Sequence, residues 1–259
     1  MEIALERIHN CPEGFVDLRN LGLTELPPLP EGIRTLFCIN NQLTSLPELP
    51  STLERLFCIN NQLTSLPELP ARLDSLYCMN NQLISLPELP PSLMIMNCKT
   101  NQLTSLPSLP PFLATLHCSG NQLTSLPTLP STLEIIDCHD NLLRILPMLH
   151  VNLQRLNCHG NSFETLPELP STLLELHCEL PLFRDDVIDE VIIDEDDMDP
   201  EGVAFINGWV IQTTAELKQQ SKERCNSRCA TYKEEIMMKA WRTSRVEMLL
   251  EMGYDHEDM

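Results

Sequence analysis

The residues of this chain whose types and spacing suggest chemistry are its cysteines. Eight of the eleven cysteines recur at intervals of 20 residues. Zinc needs four converging ligands, whereas such a row offers only two thiols at any point, and side chains of neighbouring parallel strands do not point toward each other. We therefore interpret these residues as a column of small, buried, reduced hydrophobic side chains. The cysteine column consists of Cys38, Cys58, Cys78, Cys98, Cys118, Cys138, Cys158 and Cys178.

The histidines form a second pattern. Four of the seven fall at two recurring positions. His117 and His177 share the first position, and His139 and His159 share the second, which lies two residues further on. His139 and His159 are expected to be adjacent across neighbouring strands, with Asp137 and Glu179 nearby. A solvated recognition surface is our main interpretation. A divalent-metal site or a pH-sensitive patch at His139 and His159 is a weaker alternative.

The remaining candidates for chemistry are few. Cys225 and Cys229 are spaced as on one face of a helix and lack two further obvious ligands. The sequence contains no nucleophile elbow, Walker loop, HExxH motif or paired-carboxylate signature, and its eight glycines make no phosphate-binding loop. We expect no enzyme activity, no catalytic residue, no cofactor and no bound metal.

The equal spacing of the cysteines comes from an internal repeat. Seven full copies of 20 residues run from residue 31 to residue 170. One copy reads Leu53-x-x-Leu56-x-Cys58-x-x-Asn61-x-Leu63-x-x-Leu66-Pro67-x-Leu69-Pro70. Each copy also has an asparagine where the chain is expected to turn away from its strand, and its buried amide should bond to backbone groups of neighbouring turns. The asparagine column consists of Asn41, Asn61, Asn81, Asn101, Asn121, Asn141 and Asn161.

The repeat predicts short strands with one buried and one displayed face. Leu56 and Cys58 are two residues apart and face the core, whereas Phe57 and Ile59 face the other side. The leucines of one copy can be buried only against the next copy, so the copies should stack into a solenoid. The two prolines of each copy favour an extended, polyproline-like return segment without a helix.

This unit resembles the leucine-rich repeat, L-x-x-L-x-L-x-x-N-x-L, over residues 13 to 180. Its string NQLTSLPELP, at 41–50 and 61–70, is similar to the short repeats of bacterial effectors of the YopM and invasion-plasmid-antigen H type. The cysteine-bearing repeat and the C-terminal residues look more like leucine-rich repeat proteins of giant DNA viruses. The resemblance implies an α/β solenoid-type fold, a horseshoe with a parallel concave β-sheet.

The chain divides into four parts by composition. An N-terminal segment and a degenerate first repeat occupy residues 1–30, and the repeat array occupies 31–180. An acidic linker follows over 181–202, because ten of the 17 residues from 185 to 201 are acidic and none is basic. Capping-box patterns predict a small helical C-terminal module over 203–259.

Charge limits the classes of partner. The formal net charge is −20, so nucleic acid and anionic membranes would be repelled. The N-terminus has no signal-peptide pattern, so we expect a protein of the cytoplasm, or of the host cytoplasm if it is viral, that is not secreted through a signal peptide. We also expect a monomer.

These patterns predict a non-enzymatic scaffold that binds a protein partner on its concave face, with a host-interaction role if it is viral. One alternative is an effector or adaptor linked to host ubiquitination, because bacterial relatives often carry a ligase domain, although no such domain is seen here. The candidate partner-binding residues are the displayed side chains Phe37, Ile39, Phe57, Ile59, Tyr77, Met79, His117, Asp137, His139 and His159.

Overall fold

A computed structural model describes residues 2–10, 14–163, 165–178 and, as backbone, 191–193. The predicted helical module at 203–259 therefore lies outside the described residues, as do Cys11, Cys225 and Cys229. The described elements are α1 (Glu2–His9), β1 (Phe15–Asp17), β2 (Thr35–Phe37), β3 (Arg55–Phe57), β4 (Ser75–Tyr77), β5 (Ile95–Asn97), β6 (Thr115–His117), β7 (Ile135–Asp137), β8 (Arg155–Asn157), β9 (Glu175–Cys178) and β10 (Val191–Ile193).

The strands form one sheet in chain order. Strands β1 to β9 are parallel, and the shared period of 20 residues sets their register, so that Leu56 lies between Leu36 and Leu76. Between these strands, the described segments of residues 18–163 contain no helix. The predicted leucine-rich repeat solenoid with a parallel sheet and an extended opposite side is confirmed.

The core is a set of rows that run along the solenoid. Leu56 and Cys58 are completely buried, and Leu66 and Leu69 are each only 8% exposed. The equivalent residues of the other coils join them in one continuous hydrophobic cluster. Because each coil closes the core of its neighbour, the array is stabilised mainly by contacts between adjacent coils.

A sharp turn follows each of strands β1 to β8, three residues after its end. The residues at this turn have left-handed backbone, and they are Asn20, Asn40, Asn60, Asn80, Thr100, Gly120, Asp140 and Gly160, with φ between 52° and 63°. Glycine and asparagine tolerate this conformation best, which explains why they predominate in the column. This column was not predicted, although the Asn or Gly that precedes five of the seven residues of the asparagine column is a signal for it.

The two ends of the array differ from its middle. Helix α1 covers the first coil by burying Ala4 and Ile8, and Arg7 Nη1 donates a 2.8 Å hydrogen bond to the Asp17 carbonyl in β1. At the other end, β10 pairs antiparallel with β9. Neither α1 nor a strand within the acidic linker was predicted from the sequence. Among the described residues, no helix has the length and apolar character needed to cross a membrane.

Candidate functional site

The concave face of the sheet displays two columns of side chains that matter for function. The central column is the last position of each three-residue strand, as at Phe57, and the outer column lies two residues further on, as at Ile59. Both side chains are half-buried, whereas the intervening Cys58 points into the core. Because the strands are in register, equivalent side chains of successive coils lie about 4.8 Å apart.

The first coils carry aromatic rings in the central column. The rings of Phe37 and Phe57 are stacked with centroids 4.4 Å apart, and those of Phe57 and Tyr77 with centroids 4.7 Å apart. Phe15 extends this aromatic stack at 5.0 Å from Phe37, and the Arg19 guanidinium lies 5.3 Å from the Phe37 centroid. The spacing of the strands alone therefore places these rings in one continuous aromatic surface.

The outer column beside the stack is apolar as well. Ile39, Ile59 and Met79 occupy it, and each is half-buried. The stack and these aliphatic side chains together make an apolar strip about three strands wide. Apolar patches on a polar face are typical of binding sites for other proteins.

Farther along the array, the concave face becomes polar and is organised around Asp137. Its carboxylate makes an ion pair with Lys99 and accepts a 2.5 Å hydrogen bond from His139 Nδ1. His117 Nδ1 lies 3.6 Å from the same carboxylate and has no hydrogen-bond partner. Burial opposes ionisation of Asp137, yet the basic groups of His117, Lys99 and His139 together hold its pKa well below the usual value.

Two histidines lie directly beside this cluster. The rings of His139 and His159 are stacked with centroids 4.7 Å apart and planes 12° from parallel. His159 Nδ1 is 2.7 Å from Asn157 Oδ1, and the Asp140 carboxylate lies 3.8 Å from His139 Nε2. His139, Asp140 and His159 each offer one ligand atom, and these three atoms lie within 4.8 Å of one another.

The structure places nine of the ten candidate partner-binding residues in half-buried positions on this face. The exception is Asp137, whose residue is only 8% exposed and whose carboxylate is engaged by neighbouring bases. Asp137 therefore positions the surrounding side chains and offers little surface of its own. Glu179, which we expected near the histidines, lies outside the described residues.

Three residues that are not among the candidate partner-binding residues complete the concave face. Lys99 reaches Asp137 from two strands away, Arg19 covers the end of the aromatic stack, and Asn157 contacts both stacked histidines. Lys99 and Arg19 belong to the outer column and Asn157 to the central column. Their column positions were readable from the repeat, but their pairing depends on side-chain reach across strands.

The cysteine column contributes nothing to this face. All eight of its cysteines are buried thiols. Burial raises the pKa of Cys38 and Cys98 to about 12, and that of Cys58, Cys78 and Cys118 well above the usual value. Because thiolates are the nucleophilic and metal-binding form, these thiols should be chemically inert in the folded protein.

The in-register sheet, the repeat and the asparagine column together define a leucine-rich repeat protein. The chain is similar to solved structures of YopM from Yersinia enterocolitica (38% identity, TM-score 0.56), of YopM from Yersinia pestis (36%, 0.60) and of a Shigella effector leucine-rich repeat domain (34%, 0.50). No protein-family model and no curated protein sequence matches it. The chain belongs to the leucine-rich repeat proteins and has repeats of the bacterial effector type.

The extent of these similarities differs. The matches cover 63%, 69% and 69% of this chain, and 41%, 60% and 74% of the respective relatives. The chain thus spans well under two thirds of the first YopM structure and 60% of the second. The resemblance to giant DNA virus proteins gains no support from these structures and stays a prediction.

Proposed function

We propose that this chain is a non-enzymatic scaffold that binds a protein partner on its concave face. The observation that carries the proposal is the aromatic stack of Phe37, Phe57 and Tyr77. Aromatic side chains dominate binding energy at protein interfaces, because they bury a large apolar area at a small cost in conformational entropy. Three of them in register, with apolar neighbours in the outer column, make a preformed anchor site.

The two halves of the face favour a partner of matching composition. An apolar segment of the partner would cover the aromatic stack, whereas polar side chains would meet the half-exposed histidines around Asp137. Electrostatic pairing at such a polar edge contributes more to orientation than to affinity. The partner is therefore expected to carry exposed aromatic or aliphatic residues beside a polar patch.

The comparisons support this class of function at a general level, because two of the similar structures are described as effectors. A monomeric state, action in the host cytoplasm and a viral host-interaction role are parts of the same proposal. An adaptor role in host ubiquitination belongs here too, and recovery of a ubiquitin ligase as the specific partner is the result that would support it.

The test is affinity capture from host-cell lysate with the full chain as bait, followed by affinity measurement with the recovered partner. The variant replaces Phe37, Phe57 and Tyr77 with serine. Truncation of one hot-spot aromatic typically costs about 2 kcal/mol, so the triple change should reduce a micromolar affinity by more than 1,000-fold.

A charge reversal at Glu48 and Glu68 provides the matched control. Both are exposed and lie on the return segments, away from the sheet. Thermal melting of both variants checks that the array remains folded, and the single change Phe57→Ser serves if the triple variant is destabilised. If the charge-reversal control lost the partner and the aromatic variants still bound it, binding would use another surface.

A further inference from the structure

We propose that His139, Asp140 and His159 form a binding site for a divalent first-row transition metal, with Zn²⁺ as the reference ion. The three ligand atoms come from two consecutive coils and lie within 4.8 Å of one another. Ligand atoms around tetrahedral zinc lie about 3.4 Å apart, given Zn–N and Zn–O distances of about 2.1 Å. Rotations of these side chains would have to close that difference, and none of the three residues is buried.

The hydrogen bonds behind the histidines orient both rings for ligation. Asp137 Oδ1 lies 2.5 Å from His139 Nδ1, and Asn157 Oδ1 lies 2.7 Å from His159 Nδ1. A carboxylate or an amide oxygen only accepts, so each Nδ1 carries a proton, and ligation of a metal by either ring would use Nε2. Metal-binding histidines typically donate their second ring nitrogen in this way.

The backbone beside Asp140 is shaped to admit its carboxylate. Asp140 has a left-handed backbone with φ of 52°, and its neighbour in the next coil is Gly160. A Cβ atom at Gly160 would collide with Asp140 Oδ1. In the first four coils the residues at this position are asparagines whose side chains bond to each other, as Asn60 does with Asn40. A glycine therefore lets the Asp140 carboxylate lie against the next coil, beside His159.

The ligand set is local and does not arise from the repeat itself. The corresponding pairs in the preceding coils are Arg19-Asn20, Ile39-Asn40, Ile59-Asn60, Met79-Asn80, Lys99-Thr100 and Ser119-Gly120. None of these pairs provides an imidazole or a carboxylate. Two imidazoles with one carboxylate favour zinc, cobalt or nickel over magnesium and calcium, which prefer oxygen ligands. Three protein ligands also leave a coordination position open to water or to a donor from a bound molecule.

The test is calorimetric titration of the full chain with Zn²⁺. Because thiols outside the array would compete for zinc, the background carries Cys11, Cys225 and Cys229 replaced by serine. We expect one Zn²⁺ per chain, at least 10-fold weaker binding in His139→Ala and in His159→Ala, and no detectable binding of Mg²⁺. Asn157→Ala should weaken binding by about 10-fold, because it removes a hydrogen bond that orients a ligand.

The matched control is His177→Asn, a histidine of the same face that provides none of the three ligand atoms. Its affinity for Zn²⁺ should equal that of the background protein, and circular dichroism should show that every variant is folded. Absence of Zn²⁺ binding in the background protein would overturn the proposal, as would equal affinities in the background and both histidine-to-alanine variants. Co²⁺ spectra with thiolate charge-transfer bands would also overturn it, since they would assign the metal to cysteine.

Discussion

The side-chain amide of Asn101 donates a 3.1 Å hydrogen bond to the Cys78 carbonyl in the preceding coil. The same nitrogen contacts the carbonyls of Cys98 and Lys99, and Oδ1 accepts a 3.0 Å hydrogen bond from Leu83 N–H. One buried side chain therefore satisfies backbone groups of two coils at the point where the chain leaves the strand. The other members of the asparagine column make equivalent bonds, as Asn61 does with Cys38.

Replacement of Asn101 by alanine should destabilise the protein by about 3 kcal/mol. The change leaves the buried Leu83 N–H without its acceptor, which costs about 1–3 kcal/mol. It also removes one hydrogen bond to the Cys78 carbonyl, which keeps the one from Asn81 Nδ2. Urea unfolding followed by circular dichroism measures the loss. The neighbouring Gln102→Ala is the control, because Gln102 is exposed, and it should change stability by less than about 0.5 kcal/mol. Equal effects would contradict the role of the asparagine column.

A charge at the centre of the core should have a much larger effect than the same charge one residue away. Leu116 is completely buried, whereas Thr115 is half-buried on the concave side of β6. Leu116→Asp should cost more than about 4 kcal/mol, because it buries an unpaired carboxylate, and Thr115→Asp should cost about 1 kcal/mol or less. Thermal melting distinguishes them, and similar melting temperatures would show that the strand register is wrong.

The fold was predictable because the hydrophobic spacing, the prolines and the repeat period all favour the same structure. The spacing of Leu56, Cys58 and Leu63 specifies the buried rows, and the prolines at 67 and 70 exclude a helix in the return segment. A fixed period then forces an in-register sheet. Helix α1 was missed because its signal is short: only Ala4 and Ile8, four residues apart, mark its buried face.

The functional surface was predictable only in part. Column positions follow from the period, so the alignment of Phe37, Phe57 and Tyr77 could be read directly. The burial of Asp137 could not be predicted, because it depends on how far Lys99 reaches across two strands. Pairings of this kind depend on side-chain conformations, which a repeat pattern does not specify.

The cysteine column should make the protein sensitive to alkaline pH. The pKa of Cys98 is raised to about 12 by burial, from about 9 in an unfolded chain. The folded state therefore retains protons that the unfolded state releases, so stability is unaffected below pH 9 and falls between pH 9 and 12. Each such thiol contributes a slope of about 1.4 kcal/mol per pH unit.

Urea unfolding at pH 8 and pH 10.5 measures this slope, and Cys98→Ala should make it shallower, since it removes one titrating thiol. Groups that titrate in both proteins cancel in this comparison. A thiol reagent at pH 8 should leave the column unlabelled in the folded protein and label it after unfolding. Rapid labelling of the folded protein, or identical slopes, would contradict the burial of these thiols.

Replacement of Thr100 by asparagine should stabilise the array. Thr100 has a left-handed backbone with φ of 52°, a conformation that is unfavourable for a β-branched residue, whereas Asn60 and Asn80 adopt it with φ of 54° and 56°. An asparagine at this position relieves the strain and provides an amide next to Asn80, whose Nδ2 already donates a 2.6 Å hydrogen bond to Asn60 Oδ1. The free energy of unfolding should rise by about 1 kcal/mol, as measured in urea. The reverse change, Asn80→Thr, should lower it by a similar amount, because it places a β-branched residue in the left-handed turn of the preceding coil. If Thr100→Asn destabilised the protein and Asn80→Thr were neutral, the left-handed turn would not determine which residue fits this column.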